Sequence, residues 1–502
     1  MSDLLHEKPH RSWSESARLF VSPKVLALLF LGFSAGVPIL LVFSTLSVWL
    51  REAGVERAAI GFFSWAALGY GFKFVWAPLI DKLPVPVLSH ILGQRRSWLL
   101  VAQGLILIAL AFMALTDPVQ NLTAMAVAAV MLGFSSATQD IVVDAYRIEA
   151  AEEDLQGLMS AAYIAGYRLG MLVAGAGALE LAGILDVVEG YDYSAWRTTY
   201  LAMVGVMGVG IATTFVISEP ERPTTPSDEL NSTSDYIRFV ALFAFSAAAF
   251  VGGFIFWGAN DLPSEGFFWQ AWRLIAAVAF AIAVGRALVK AGLISQNLAH
   301  ETYVAPFADF FKRYGKIALL ILALIATFRI SDVVMGVMAN VFYVDLGFEK
   351  QEIGRITKGF GLIATIVGGF MGGLLTARYG VMKTLFLGGI LVAVTNALFA
   401  LLAGMGPDIR MLAAVIAADN LSGGIASAAF VAYLSGLTSK GFTATQYALF
   451  SSMMLLLPKL IAGYSGLMVE ALGYATFFIG AACIGVIPLI LILFVARLTP
   501  KP

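Results

Sequence analysis

Asp140 and Asp144 stand four residues apart inside the apolar run Ser136-Ala-Thr-Gln-Asp-Ile-Val-Val-Asp-Ala-Tyr146. On a helix that spacing puts both carboxylates on one face, about 6 Å apart. Two neighbouring carboxylates in a medium of low dielectric resist being ionised together, which suits a carrier of protons. The alternative is that each pairs with a cation such as Lys73 or Arg168 and so ties helices together. Other ionisable or amide groups interrupt long apolar runs in the same way: Lys73, Gln139, Arg168, Arg329, Asp332, Asn340, Lys358, Asp419, Asn420 and Lys459. Such groups are costly against lipid and mark functional positions by default. Arg329 and Asp332, three apart, have the spacing to neutralise each other. Tyr146, Tyr167 and Tyr343, beside these polar positions, are suited to stacking on a sugar ring, with plain packing as the alternative.

Signals for covalent chemistry are missing. The histidines, His6, His10, His90 and His300, lie outside the apolar runs and lack the spacing of a zinc site, and there is no Gly-rich phosphate loop followed by Lys-Ser/Thr. We expect a non-enzyme without metal or cofactor, driven by a gradient. The lone cysteine, Cys483, excludes an internal disulfide and reads as a small core residue.

The elements that must position these groups follow from composition. Of 502 residues, 59% are apolar and 13% charged, against about 25% charged in soluble domains. Net charge is −1, with no basic face for nucleic acid. Runs of about 20 apolar residues, enough to cross a bilayer core, recur at 25–50, 58–80, 98–116, 121–146, 157–184, 197–218, 235–258, 268–292, 316–346, 350–376, 382–404, 410–436, 443–466 and 472–496. About fourteen spans are therefore expected in an all-α, polytopic membrane protein. Lys and Arg collect in the N-terminal tail and in alternate breaks, those holding Lys82, Arg95, Arg96, Arg147, Lys312, Arg313, Lys316, Arg378, Lys383, Lys440 and Arg497. The positive-inside rule makes these breaks and both termini cytoplasmic.

Gly54-Val-Glu-Arg-Ala-Ala-Ile-Gly61 returns as Gly347-Phe-Glu-Lys-Gln-Glu-Ile-Gly354, each time joining the first two spans of a half. Two six-helix halves with an extra pair between them give a major-facilitator arrangement, with the solute held near the midplane. The expected division is a tail (1–24), an N-terminal half (25–218), a Pro/Ser/Thr-rich linker (219–234), two extra spans (235–292), an amphipathic cytoplasmic segment (293–315), a C-terminal half (316–496) and a tail (497–502). Asp81 with Arg95 and Arg96 brackets the connection between the second and third spans, as a gate would, although the arginines also serve topology. Gly166/Gly170 and Gly368/Gly372 have the spacing of close helix packing. Trp49, Trp196 and Trp269 fall at span ends, as an interfacial belt requires.

Several of these stretches together resemble the AmpG muropeptide permease family in order and spacing. They are Phe72-Lys-Phe-Val-Trp-Ala-Pro-Leu-Ile-Asp81, Gln94-Arg-Arg-Ser-Trp98, the Asp140/Asp144 run, Gly166-Tyr-Arg-Leu-Gly-Met-Leu-Val173, Lys358-Gly-Phe-Gly-Leu-Ile-Ala-Thr-Ile-Val-Gly368, Asn420-Leu-Ser-Gly-Gly424 and Thr443-Ala-Thr-Gln-Tyr-Ala-Leu449. The resemblance implies import of N-acetylglucosaminyl-1,6-anhydro-N-acetylmuramic acid and its peptides from periplasm to cytoplasm by proton symport, across the bacterial inner membrane. That role serves cell-wall recycling and β-lactamase induction. On that reading Asp140 and Asp144 carry protons. Lys73, Gln139, Tyr146, Arg168, Arg329, Asp332, Asn340, Lys358, Asn420 and Gln446 are candidate solute contacts, since cations and amides suit an anionic, sugar-rich ligand. Asp81, Arg95 and Arg96 form the gate. Two departures stand out: the extra pair lies between the halves, where some relatives place it at the C-terminus, and Gln94 replaces a third arginine. We expect a monomer whose partners are the solute, protons and the bilayer. Siderophore or acyl-CoA import and, from another class, a membrane-embedded transferase are the alternatives.

Overall fold

The computed structural model describes residues 21–55, 68–150, 155–186, 188, 190–221, 233–257, 267–348, 350–462 and 464–498. Most of the N-terminal tail, the linker at 222–232 and the first part of the second predicted span lie outside these residues. Within lipid every backbone group must be satisfied internally, so long apolar runs become helices.

Those that position the site are α1 (Pro23–Val42), α2 (Ala77–Lys82), α3 (Gln94–Ala114), α4 (Leu122–Ala150), α5 (Gln156–Leu172) and α6 (Tyr193–Val216). Next come α7 (Thr233–Phe256), α8 (Phe267–Lys290) and the short α9 (Ala305–Tyr314). The remainder are α10 (Ile317–Thr327), α11 (Ile330–Asp345), α12 (Gly361–Tyr379), α13 (Val381–Met405), α14 (Ile409–Leu437), α15 (Thr443–Ala462), α16 (Tyr474–Ile484) and α17 (Val486–Leu498).

Among the described residues, 11 helical stretches are long and apolar enough to cross a membrane. The other three predicted spans hold the broken helix around Lys73–Lys82, α8 and α15. Large apolar side chains such as Ile108, Val216, Ile255, Ile363 and Ile490 are exposed around the bundle. In water so extensive an apolar surface would aggregate; in lipid it is the ordinary outer face. Cys483 shares this exposure, which corrects the expectation that it is a core residue: it sits on the outward side of α16.

Trp49 and Trp196 also depart from expectation. Both are buried, their rings stacked at 5.6 Å, with Trp49 donating to the Tyr191 hydroxyl and Trp196 to Glu52. Their indole N–H groups find partners inside the protein, so they brace the core of the first helices rather than a lipid belt.

Glycine sets the closest contacts. A Cβ on Gly166 would lie 1.9 Å from the Leu29 carbonyl oxygen, and one on Gly170 2.2 Å from that of Phe33, so α5 and α1 touch backbone to backbone. On the other side α12 meets α14 in the same way, through Gly368 against the Leu421 carbonyl. Between them α5 runs against α12, where Gly157 faces Thr376 and Gly373 faces Ala161. The extra pair packs on the first group of helices: Phe250 of α7 meets Phe72 at 6.0 Å, and Phe239 joins Leu83 and Tyr303.

Candidate functional site

The polar side chains of α4 form a descending series. Gln139 is buried and accepts a bond from the Ser34 hydroxyl at 3.3 Å, with its Nε2 unpartnered. Asp140, one residue on, has a buried Oδ1 with no hydrogen-bond partner among the described residues. One turn further, Asp144 lies 3.6 Å from the Lys73 ammonium and 3.3 Å from the Arg147 guanidinium. Lys73 also acts electrostatically on Asp140, as does the charge of Asp144. The two acids expected to share one role thus differ: Asp144 is neutralised by two cations, whereas Asp140 keeps an unused oxygen within electrostatic reach of Lys73. Buried polar atoms are normally bonded, so the exceptions mark functional or strained positions. Tyr70, Tyr163 and Tyr167 lie within electrostatic reach of Asp140. A carboxylate so placed can take up a proton without breaking an existing bond.

Arg147 continues the series across the molecule. Fully buried, it donates to Ser160 at 2.9 Å and to Ser435 of α14 at 2.7 Å, and its guanidinium lies over the Tyr447 ring of α15 at 5.1 Å. It is therefore an ion partner of Asp144 and a tie between the two groups of helices at once.

The polar groups of the later helices are mostly paired, although Arg329 Nε and Asn396 Oδ1 are buried without a hydrogen-bond partner among the described residues. Arg329 donates to Ser427 at 3.0 Å and approaches Asp332 at 3.9 Å. Asn420 accepts from Thr365 at 2.7 Å and donates to the Ile416 carbonyl. Asp419 accepts from Thr395 at 3.4 Å. Arg168 of α5 is within Coulombic reach of Arg329 of the later helices. The side chains of Asn340 and Lys358 lie outside the described ones.

At one end of the bundle a latch closes. Arg95 holds Glu149 with two bonds, at 2.9 and 2.6 Å, and gives a further bond to Asp81 at 2.8 Å. Bidentate pairing of this kind is the strongest form of guanidinium–carboxylate contact. The cluster reaches over to α15: Arg95 donates to the Thr443 hydroxyl at 2.8 Å, and that hydroxyl donates to Glu149. Asp81 accepts from the backbone N–H of Ala444 and Thr445 and from the Thr445 hydroxyl, at 3.2, 2.8 and 2.7 Å. A carboxylate at the first turn of a helix meets unpaired N–H groups and the positive end of the helix dipole. Gln94 bonds the Ile80 and Asp81 carbonyls that end α2, a task a neutral amide performs.

Of the three residues grouped as a gate from the sequence, Asp81 and Arg95 meet in this cluster. Arg96 belongs elsewhere: it bonds the Thr214 and Phe215 carbonyls at the end of α6 and stays within its own group of helices. Gln446 is likewise committed away from solute. Its amide accepts from Arg313 and Ser439 and donates to the Pro306 carbonyl and Asp309, which uses its full bonding capacity on α9 and the neighbouring loop. Tyr146 is buried in the core with Ile80, Leu99 and Ile217 rather than lining a cleft, and Tyr343 is buried beside Phe342. Lys459 is exposed. Glu149, Thr443, Thr445 and the crossing role of Arg147 were missed. Their one sequence signal was Thr443-Ala-Thr-Gln446, hydroxyls opening a helix opposite an acidic helix end, a pattern that reads equally as an ordinary cap.

Known proteins resemble this chain from end to end. A family model described as Acetyl-coenzyme A transporter 1 matches residues 24–237. Putative transporter AmpG 4 of Rickettsia conorii is 32% identical over 92% of this chain and 94% of its own length. The anhydromuropeptide permease of Escherichia coli K12 is 32% identical over 96% of this chain and 81% of its own. Among solved structures, the major facilitator superfamily transporter FucP in the outward conformation superposes with a TM-score of 0.60 at 12% identity, over 95% of this chain and 98% of that one. The proton:xylose symporter XylE, bound to 6-bromo-6-deoxy-D-glucose, gives 0.58 at 13% identity, over 98% and 97%. The helical arrangement is that of these transporters, and with such full-length relatives above 30% identity the chain belongs to the AmpG permease family.

Proposed function

We propose that this transporter imports 1,6-anhydro-muropeptides, N-acetylglucosaminyl-1,6-anhydro-N-acetylmuramic acid with or without its peptide, from periplasm to cytoplasm together with protons. The protein sits as a monomer in the inner membrane with both termini and the latch cytoplasmic, and serves cell-wall recycling. The observation that carries the reading is the end-to-end likeness to an anhydromuropeptide permease. Arg168, Arg329 and Lys73 supply cations for an anionic, sugar-rich solute, and Gln139, with an unused amide N–H, supplies a donor for a sugar oxygen.

The coupling follows from the series on α4. With Asp140 ionised, Lys73 is drawn between Asp140 and Asp144. Protonation of Asp140 frees Lys73 to settle wholly on Asp144, which weakens the hold of Asp144 on Arg147. Arg147 is what reaches Ser435 and Tyr447 across the interface, so a proton at Asp140 bears on the contact between halves. Inward opening must also part the Asp81–Arg95–Glu149 cluster from the first turn of α15. Proteoliposomes carrying purified protein test the reading: uptake of the defined anhydro-disaccharide is expected to rise under an imposed pH gradient and collapse with a protonophore. Uptake indifferent to the gradient would overturn coupling, and no uptake would overturn the solute.

The match of residues 24–237 to Acetyl-coenzyme A transporter 1 favours a second reading, import of an acyl-CoA. Competition separates the two: acetyl-CoA is expected to leave anhydro-disaccharide uptake unchanged, and inhibition by acetyl-CoA at equal concentration would favour the second.

A further inference from the structure

A slot of about 130 Å³ opens on the outer side of the bundle beside the latch, where α9 lies across α15 and α10. Phe307, Phe310 and Phe311 form one wall; Leu322, Leu449 and Met453 form another. The polar atoms of Thr445 and Gln446 at its rim are turned away, towards Asp81 and towards Pro306 and Asp309. The slot therefore offers alkyl contacts alone. Phe307 and Phe311, one turn apart on α9, are exposed at its mouth, 41% and 43%.

The charge beside it is positive. Lys312 follows Phe311, and Lys316 stands four residues on, beyond the Gly315 turn; both are exposed, and neither pairs with a carboxylate among the described residues. Arg313 differs, being held by Asp309, Gln446 and the Leu437 carbonyl. Basic residues at a membrane face also report topology, but topology requires no alkyl slot beneath them.

We infer that this face binds an anionic phospholipid, with an acyl chain in the slot and the headgroup phosphate on Lys312 and Lys316. An amphipathic helix carrying exposed Phe beside Lys is the form in which proteins lie in the headgroup region. Because Gln446 bonds Pro306, Asp309 and Arg313 of the same helix, an occupied slot bears on the segment next to the latch.

Native mass spectrometry of the purified transporter, with lipid titrated in detergent, tests the site without reference to the transported solute. Phosphatidylglycerol is expected to be retained about 30-fold better than phosphatidylcholine, from two lysines near the phosphate. Lys312→Gln/Lys316→Gln is expected to remove that preference. Leu449→Trp, which fills the slot, is expected to reduce retention of both lipids. Unaltered melting without lipid identifies variants that remain folded. Equal retention of the two lipids, preference surviving in the double variant, or full displacement of phosphatidylglycerol by millimolar inorganic phosphate would each overturn the assignment.

Discussion

The two groups of helices treat their buried polar residues differently. On α4 the charges are linked but incomplete: Asp144 serves two cations while Asp140 retains a buried oxygen without a donor. Among the later helices Asp419, Asn420 and Arg329 each close on a hydroxyl within bonding distance. A carboxylate with a spare acceptor can change its charge, whereas the unpartnered groups of the later helices, Asn396 Oδ1 and Arg329 Nε, belong to an amide and a guanidinium that do not titrate. The two groups thus share a scaffold more than a chemistry, and we assign coupling to the first group, with solute contacts drawn from both.

The sharpest test of that contrast is Asp140→Asn. It is expected to abolish gradient-driven accumulation to the level of empty vesicles while solute exchange without a gradient persists; accumulation at the normal level would remove the asymmetry. Next in size is Glu149→Gln, which leaves Arg95 short of a charge in a buried cluster, a change of about 3–5 kcal/mol where one partner of a buried pair is lost. A cysteine at Ala444, in a chain with Cys483→Ser, is expected to react at least about tenfold faster with an impermeant maleimide once Glu149 is altered. An unchanged rate would show that the latch does not rest on Glu149. Asp419→Asn, in the closed group, loses a single hydrogen-bonded charge and should raise KM only several-fold, in line with about 1 kcal/mol; loss of accumulation there would make the halves equals. Lys459→Ala, at an exposed position, is expected to stay within about 0.5 kcal/mol of the parent in thermal stability, and a larger drop in melting would reveal a partner.

Much of the fold was legible because lipid leaves the chain few options. Apolar run length forced helices, and the Gly54 and Gly347 repeat suggested two halves, although most of its first copy lies outside the described residues. The cost of charge in a bilayer likewise pointed to α4. Side chains at the membrane face were harder, since water makes a charge there unremarkable. Glu149 ends a span in Arg147-Ile-Glu-Ala and reads as solvated, yet it is buried against Arg95. Gln446 erred in the opposite direction: an amide within an apolar run suggested a solute contact, but its partners, Pro306 and Asp309, lie about 140 residues away in sequence, and no local spacing reveals them. Asp140 and Asp144 were indistinguishable by pattern because what separates them is which one Lys73 and Arg147 reach.

The series on α4 also has an electrical meaning. Asp140 and Asp144 against Lys73 and Arg147 make two negative and two positive charges, so with Asp140 ionised the set sums to zero. The empty carrier, on the proposed coupling, then resets without this set feeling the membrane voltage. With Asp140 protonated the set carries one net positive charge, worth about 2.3 kcal/mol per 100 mV if moved across the whole field. Voltage, interior negative, would favour inward movement of that charge, but a solute bearing one carboxylate offsets it, so the loaded stroke with a monoanionic solute is also close to voltage-neutral.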